Sequence, residues 1–345
     1  MKTMHVAFCC NSAYLDCTTV AIYSLLSHAK SHVTVNLIVH DVQNSAIEAI
    51  QSLVDGANAS LKVIHVSNFD QHNWKKSAYW NEANYLRLMI PNLIQEDKVL
   101  YLDSDLIVTR DLSELYETPF DGAWVVGALE YPHLAAKYQI PIKPGEPIIN
   151  TGVMLMNLDA LRQVSFFEKC IEIHHQYKAQ IVWMDQCVIN KCTEGRKKIV
   201  SNQWNQLIHA HLFNRASFAS TISGKNAILH FSGPIKPWMG WSNSYITEFW
   251  LGYAKKSPLN EVRIQEISSV PEALYKIFKL DEDRDFEASG QIKNRLINSM
   301  TKSELANLGP LSDKTSLVRN GFAEQLAGDT RPTASELINA LFNQS

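Results

Sequence analysis

The sequence is short of charge. Asp, Glu, Lys and Arg make up 19% of its 345 residues, below the ~25% of a typical soluble domain. Neither sign is in excess: 32 Lys and Arg against 35 Asp and Glu leave a formal net charge of −3. Nucleic-acid binding draws on a basic surplus that releases counterions, so this balance argues against a nucleic-acid partner. Six cysteines, none in a C-x-x-C pair, are too few to staple a chain of this length. They read as buried thiols of a reduced, cytoplasmic protein. The 14 Gly and 12 Pro are dispersed, which excludes collagen-like and low-complexity classes. No apolar run reaches the ~18 residues that suggest a membrane span. The opening MKTMHVAFCCNSAYL lacks the apolar core and cleavage site of an export signal and reads as a first strand. No internal repeat is visible. Hydrophobic residues, by contrast, are 46%, with 8 Trp, 12 Tyr and 13 Phe. That is enough for a sizeable core, with flat faces of the kind that stack on sugars or bases.

The first hundred residues alternate in period. HVAFCC from His5, VTVNLIVHD from Val33 and SLKVIHV from Ser60 read as strands. Tyr14 to His28, Ser45 to Val54 and Asn81 to Leu93 carry helical spacing. KVLYLDSD, from Lys98, is an apolar strand ending in carboxylates. Strand–helix alternation predicts an α/β fold, a mainly parallel sheet with helices on both faces. Ligands of such sheets bind beyond the carboxyl ends of the strands, where these acids stand. WVVGALE, GVMLMNL and NAILHFS read as further strands. The Pro-rich segment from His133 to Asn150 has the length of a functional loop. From about Pro258 the character turns to short helical units, with capping-box spacing at Thr301/Glu304 and Thr333/Glu336. The expected division is a main domain at residues 1–258 and a small helical region at 259–345.

Asp103-Ser104-Asp105 is the strongest chemical signal. Strand residues i and i+2 project to one side, so two carboxylates can converge on one divalent cation; the bland alternative is a pair of solvated acids in a turn. HFSGPIKPW, from His230, joins an imidazole at a strand end to Gly233 and Lys236. Taken alone, His230 reads as a structural histidine and Lys236 as a loop lysine. Asn150-Thr151-Gly152 opens a strand and Asp185-Gln186 opens a helix; each is weak alone, because Asn and Asp are common in turns and caps.

In this order the blocks NYLRLMIP, KVLYLDSDLIVTRDL, INTGVMLMNL, Asp185-Gln186 and HFSGPIKPW resemble glycosyltransferase family 8, from about His5 to Pro258. The resemblance implies a GT-A fold, Rossmann-like with a mainly parallel mixed sheet, and a retaining enzyme that uses nucleotide sugars. The extension from Lys236 to Pro258 resembles the bacterial subgroup adding glucose or galactose to lipopolysaccharide core. The implied metal ligands are Asp103, Asp105 and His230, holding Mn²⁺ with Mg²⁺ as a substitute. Lys236 and Gly233 resemble the diphosphate clamp. Arg87, Asn150, Asp185 and Gln186 resemble the sugar contacts, with Asn150, Asp185, Gln186 and Lys236 as the catalytic set. Cys9, Cys10, Asn11 and Tyr14 belong to the nucleotide end, and Ser104, Thr151, Gly152 and Glu130 complete the donor site. Asn11 stands where many members carry Asp, and Glu130 at a sugar-facing position where some do, which bears on donor selectivity. The implied donor is UDP-glucose or UDP-galactose, and the implied acceptor a saccharide or glycolipid met at the cytoplasmic membrane surface by a peripheral protein.

Other readings compete. A haloacid-dehalogenase-type hydrolase also sets Asp-x-Asp after an apolar strand, but it wants Thr or Val where Ile107 stands and an acid shortly after Gly328-Asp329, where none follows. The same fold also serves a protein-modifying glycosyltransferase or a non-catalytic sugar-binding protein. His174-His175 and His209/His211 read as structural histidines. Trp238 and Trp241 are either an acceptor platform or a packed pair.

Overall fold

The computed structural model describes residues 3–67, 73–75, 82–259, 261–268, 270–282 and 286–299. Among them, β1 (Met4–Asn11), β2 (Val33–His40), β3 (Ala59–His65), β4 (Lys98–Leu102), β5 (Leu106–Val108), β6 (Val125–Leu129), β7 (Ile149–Asn157), β8 (Lys197–Val200), β9 (Gln206–Leu207) and β10 (Ile228–His230) form two sheets. The larger runs in the order β3-β2-β1-β4-β7-β6-β8 and the smaller β5-β10-β9. In the larger sheet only β7 runs against its neighbours β4 and β6; the other pairs are parallel.

Both faces of this sheet are covered. Val6, Phe8 and Cys10 of β1 enter one apolar cluster with Leu25 and Ile50. Ala7 of the same strand enters another with Phe166, Cys170 and Val188. Alternate residues of one strand thus feed cores on opposite faces. The expected helices appear at Leu15–His28 and Glu48–Asp55.

The segment expected to be one helix from Asn81 to Leu93 is instead a 3-10 stretch, Glu82–Met89, followed by a short α-helix, Ile90–Leu93. Pro91 explains the break. It stands in the first turn of the second helix, where a missing N–H costs nothing; inside a continuous helix it would remove a backbone bond. The apolar run before the acids also stops earlier than its sequence suggests. β4 ends at Leu102, and Asp103 to Asp105 form the crossing from the larger sheet to β5 of the smaller. Three strands that the hydrophobic pattern misses, β5, β8 and β9, have two to four residues, too few to establish a period.

Beyond the second sheet, Trp241, Tyr245, Ile246 and Trp250 form a third cluster, which also takes Tyr275. Tyr275 lies on the helix Val270–Glu282, which precedes a second helix, Phe286–Ser299. The capping boxes expected at Thr301 and Thr333 lie outside the described residues. No described helix is long and apolar enough to cross a membrane.

Candidate active site

The carboxyl ends of β1 and β4, the start of β7 and the end of β10 surround a cavity of about 370 Å³. Its walls carry all the residues expected from the sequence: Cys9, Cys10, Asn11, Tyr14, Arg87, Asp103, Ser104, Asp105, Glu130, Asn150, Thr151, Gly152, Asp185, Gln186, His230, Gly233 and Lys236. The long segment after Tyr131 adds His133, Leu134 and Lys137 to one wall.

The acids are set by the crossing between sheets. Asp103 N–H donates to Gly152 O at 2.8 Å, the last rung towards β7, and Phe231 N–H donates to Asp105 O at 2.9 Å, the first towards β10. Register then pairs His230 with Leu106, which brings the imidazole beside Asp105. His230 Nε2 lies 3.1 Å from Asp105 Oδ1 and 3.7 Å from Asp103 Oδ2. Ser104, between the acids, turns away and shares a 2.7 Å hydrogen bond with Thr18 of the first helix.

Three ligand atoms, one each from Asp103, Asp105 and His230, lie within 4.8 Å of one another. Two carboxylate oxygens and an imidazole nitrogen suit Mn²⁺ or Mg²⁺. Gly152 shows how closely the backbone presses on them: an added Cβ would lie 2.2 Å from His230 Cε1 and 2.6 Å from Asp103 Oδ2. Only glycine leaves room for this cluster, and the residues fit a divalent cation.

Two sets of charges meet here. Lys236 Nζ donates to Asp105 Oδ2 at 2.5 Å and to Phe231 O at 2.8 Å. Burial alone would raise the Asp105 carboxyl, but the Lys236 ammonium opposes it, and the carboxyl is held well below the usual carboxylate range. On the other side Arg87, 8% exposed, reaches Asp103 Oδ1 at 2.9 Å and Asp185 Oδ2 at 3.1 Å. It also donates to Thr151 O and lies over the Tyr101 ring. Burial pushes the Asp185 carboxyl up to about 6; Arg87 opposes this and Asp103 adds to it. The helix Met184–Cys192 carrying Asp185 and Gln186 opens at Met184, whose φ of 41° is uncommon for a side chain.

Glu130 has a role the sequence does not suggest. Its Oε2 accepts from Asn150 Nδ2 at 2.9 Å and Gln186 Nε2 at 3.0 Å, and its Oε1 from Tyr131 N–H. Gln186 Oε1 in turn accepts from Thr151 N–H at 3.1 Å. Both ends of the Gln186 amide are therefore held by the protein. Asn205, absent from every sequence motif, lies 1% exposed between His230 and Asn150, 2.9 Å from Nδ1 of the first and 3.0 Å from Oδ1 of the second.

Asn11 closes β1. Its side chain makes no capping bond to the turn that follows, and its Oδ1 is buried without a partner. Tyr14 stands edge-on to Trp238 with centroids 6.1 Å apart. At Gly233 an added Cβ would meet only His209, at an ordinary 3.5 Å. Trp241 is 4% exposed and packed in the third cluster, Trp238 is half-buried against that cluster, and neither is among the residues lining the cavity. His174 is structural, accepting from Lys75 N–H at 2.9 Å. His209, which reads as structural in the sequence, lines the cavity and is 2.9 Å from Ser232 Oγ.

The sequence model of glycosyl transferase family 8 matches residues 5–242. The chain belongs to glycosyltransferase family 8. It is 23% identical to glycosyltransferase GlyF of Streptococcus pneumoniae over 72% of this chain and 60% of GlyF. It thus spans about three fifths of that relative. It is 21% identical to the lipopolysaccharide 1,2-glucosyltransferase of Escherichia coli K12 over 79% of this chain and 83% of that enzyme. The crystal structure of galactosyltransferase LgtC with donor and acceptor sugar analogues superposes with a TM-score of 0.65, at 20% identity, over 75% of this chain and 98% of LgtC. The fold is GT-A.

Proposed function

We propose that this family 8 member is a retaining, metal-dependent hexosyltransferase that moves glucose or galactose from a UDP-sugar to a saccharide or glycolipid acceptor. The observation that carries the reading is the meeting of Asp103, Asp105 and His230 with Lys236 on the wall of a cavity that also presents the unpartnered Asn11 Oδ1.

Asp103, Asp105 and His230 would hold a divalent cation, which when bound would supply Lewis-acid stabilisation of the departing diphosphate. Lys236 adds a positive charge on the same side, fixed in advance by Asp105 and Phe231 O, so no reorganisation is needed as charge develops. Asn11 Oδ1 is an acceptor suited to uracil N3–H. Arg87, Asn150 and Asp185 stand over the remaining volume, where the sugar hydroxyls would lie.

The route to retention follows from Gln186. A covalent route needs a nucleophile beneath the anomeric carbon. The Gln186 amide is engaged at both ends, by Glu130 and Thr151, and Asp185 is engaged with Arg87. Attack by the acceptor on the face the UDP leaves, within an ion-pair-like state, asks neither residue to break its contacts. The similarity to the Escherichia coli 1,2-glucosyltransferase favours a cell-surface glycan as acceptor, met in the cytoplasm at the membrane surface.

A donor screen crossed with an acceptor panel tests this directly. UDP release should appear with UDP-glucose or UDP-galactose, and an α-linked donor should give an α-linked product. An inverted product, or a covalent glycosyl adduct on Asp185, would refute the route.

A further inference from the structure

The hydrogen bonds around Asn150 can be signed without assuming any proton position, because they end on backbone N–H groups, which only donate. Gly152 N–H lies 3.0 Å from one end of the Asn150 amide, so that end is the oxygen. The other end is then the NH₂, and it faces Glu130 Oε2 at 2.9 Å. Gln186 repeats the logic: Thr151 N–H makes its near atom the oxygen, and the NH₂ faces the same Glu130 oxygen.

The sign carries one residue further. Asn205 presents an amide atom 3.0 Å from Asn150 Oδ1, and only an NH₂ bonds there. The remaining atom of Asn205 is therefore Oδ1, 2.9 Å from His230 Nδ1. An acceptor at that position requires the proton of a neutral His230 to sit on Nδ1. Nε2 then carries a lone pair, facing Asp105 Oδ1 at 3.1 Å and Asp103 Oδ2 at 3.7 Å. Three acceptors turned towards one another repel, and a cation among them satisfies all three.

We infer that Asn205 is a positioning residue that holds His230 in the Nδ1–H tautomer and so keeps Nε2 free to ligate a divalent cation. Without Asn205 the ring can place its proton on Nε2 and donate to Asp105, closing the site to the metal. Outer partners that fix the tautomer of a ligating histidine are worth about 10–100-fold in metal affinity. The inference rests on the metal reading above, but its first test does not.

That test is the tautomer itself, read by long-range ¹H–¹⁵N NMR on ¹⁵N-histidine-labelled, metal-free full chain at pH 8. The wild type should show His230 protonated at Nδ1 and bare at Nε2. A proton on Nε2 in the folded wild type would overturn the inference. The second test is Mn²⁺ binding with UDP present, followed by electron paramagnetic resonance of the free ion. Asn205→Ala should weaken binding by about 10–100-fold. Asn205→Asp keeps an acceptor for Nδ1–H and should stay close to wild type even though its contact to Asn150 is lost. If the wild type binds Mn²⁺ and Asn205→Ala binds it equally, the inference fails. If the wild type binds none while its tautomer is Nδ1–H, the metal reading fails and the tautomer assignment stands. Should Asn205→Ala not fold, the Asp variant and the wild-type spectrum decide.

Discussion

The two charge clusters of the cavity treat the same residue type in opposite ways. The Asp105 and Asp185 side chains are 12% and 8% exposed, so both face a comparable cost of burial. Asp105 has the Lys236 ammonium to itself and is held well below the usual carboxylate range. Asp185 shares one guanidinium with Asp103, and burial wins: its carboxyl rises to about 6. A buried carboxylate is thus made a firm anion or a titratable group by how many cations it must share. The first arrangement is what a metal ligand needs. The second leaves a titratable group on the cavity wall.

The largest expected effect comes from breaking the anionic cluster sterically. In Gly152→Ala the new Cβ overlaps His230 Cε1 and Asp103 Oδ2, so the ligands must separate. Turnover should fall by on the order of 10²-fold or more, the scale of lost Lewis-acid assistance, and Mn²⁺ binding should vanish in the same variant. Unchanged Mn²⁺ affinity would show that the three ligands do not act together.

Asp185→Asn sharpens the other side of the comparison through pH. An ordinary Asp titrates near 3.9 when unfolded, and Asp185 titrates at about 6 in the fold. The folded chain therefore binds the extra proton between these values, and stability falls as pH rises through that window, then levels above it. Each unit of difference is worth about 1.4 kcal/mol. Urea unfolding of the metal-free protein at pH 4.5 and 7 should show this loss in the wild type and not in Asp185→Asn. Parallel pH profiles for the two proteins would remove the contrast between the two acids.

The uncharged Asn11 sets the baseline. Asn11→Ala removes one uncharged acceptor, so donor KM should rise about tenfold, in line with a net hydrogen bond of ~1–1.5 kcal/mol. The kcat should hold, because a uracil contact is equal in ground and transition states. A lowered melting temperature with unchanged KM would make Asn11 a turn residue instead.

How much of this is legible in the sequence depends on whether a residue acts through its neighbours in the chain. KVLYLDSD announces its acids because an apolar strand delivers them, and HFSGPIKPW keeps His230 and Lys236 within one turn. The members of both clusters can be read from those blocks and the family resemblance. Their pairing cannot: that Arg87 serves Asp103 and Asp185 while Lys236 serves Asp105 is decided by the crossing between two sheets. Asn205 follows a 3-10 turn between two short strands, with no spacing to mark it, and acts only across the fold. Glu130 reads as a substituted sugar contact because its amide partners are distant in sequence.

The most direct measurement of the central claim is UDP release from the preferred donor in EDTA, with Mn²⁺ then restored, for wild type and Asp105→Asn. If Asp103, Asp105 and His230 hold a cation that stabilises the leaving diphosphate, wild-type turnover should collapse in EDTA and return with Mn²⁺. Asp105→Asn should remain on the order of 10²-fold or more below wild type with Mn²⁺ present. Full turnover in EDTA, or wild-type rates from Asp105→Asn, would contradict it.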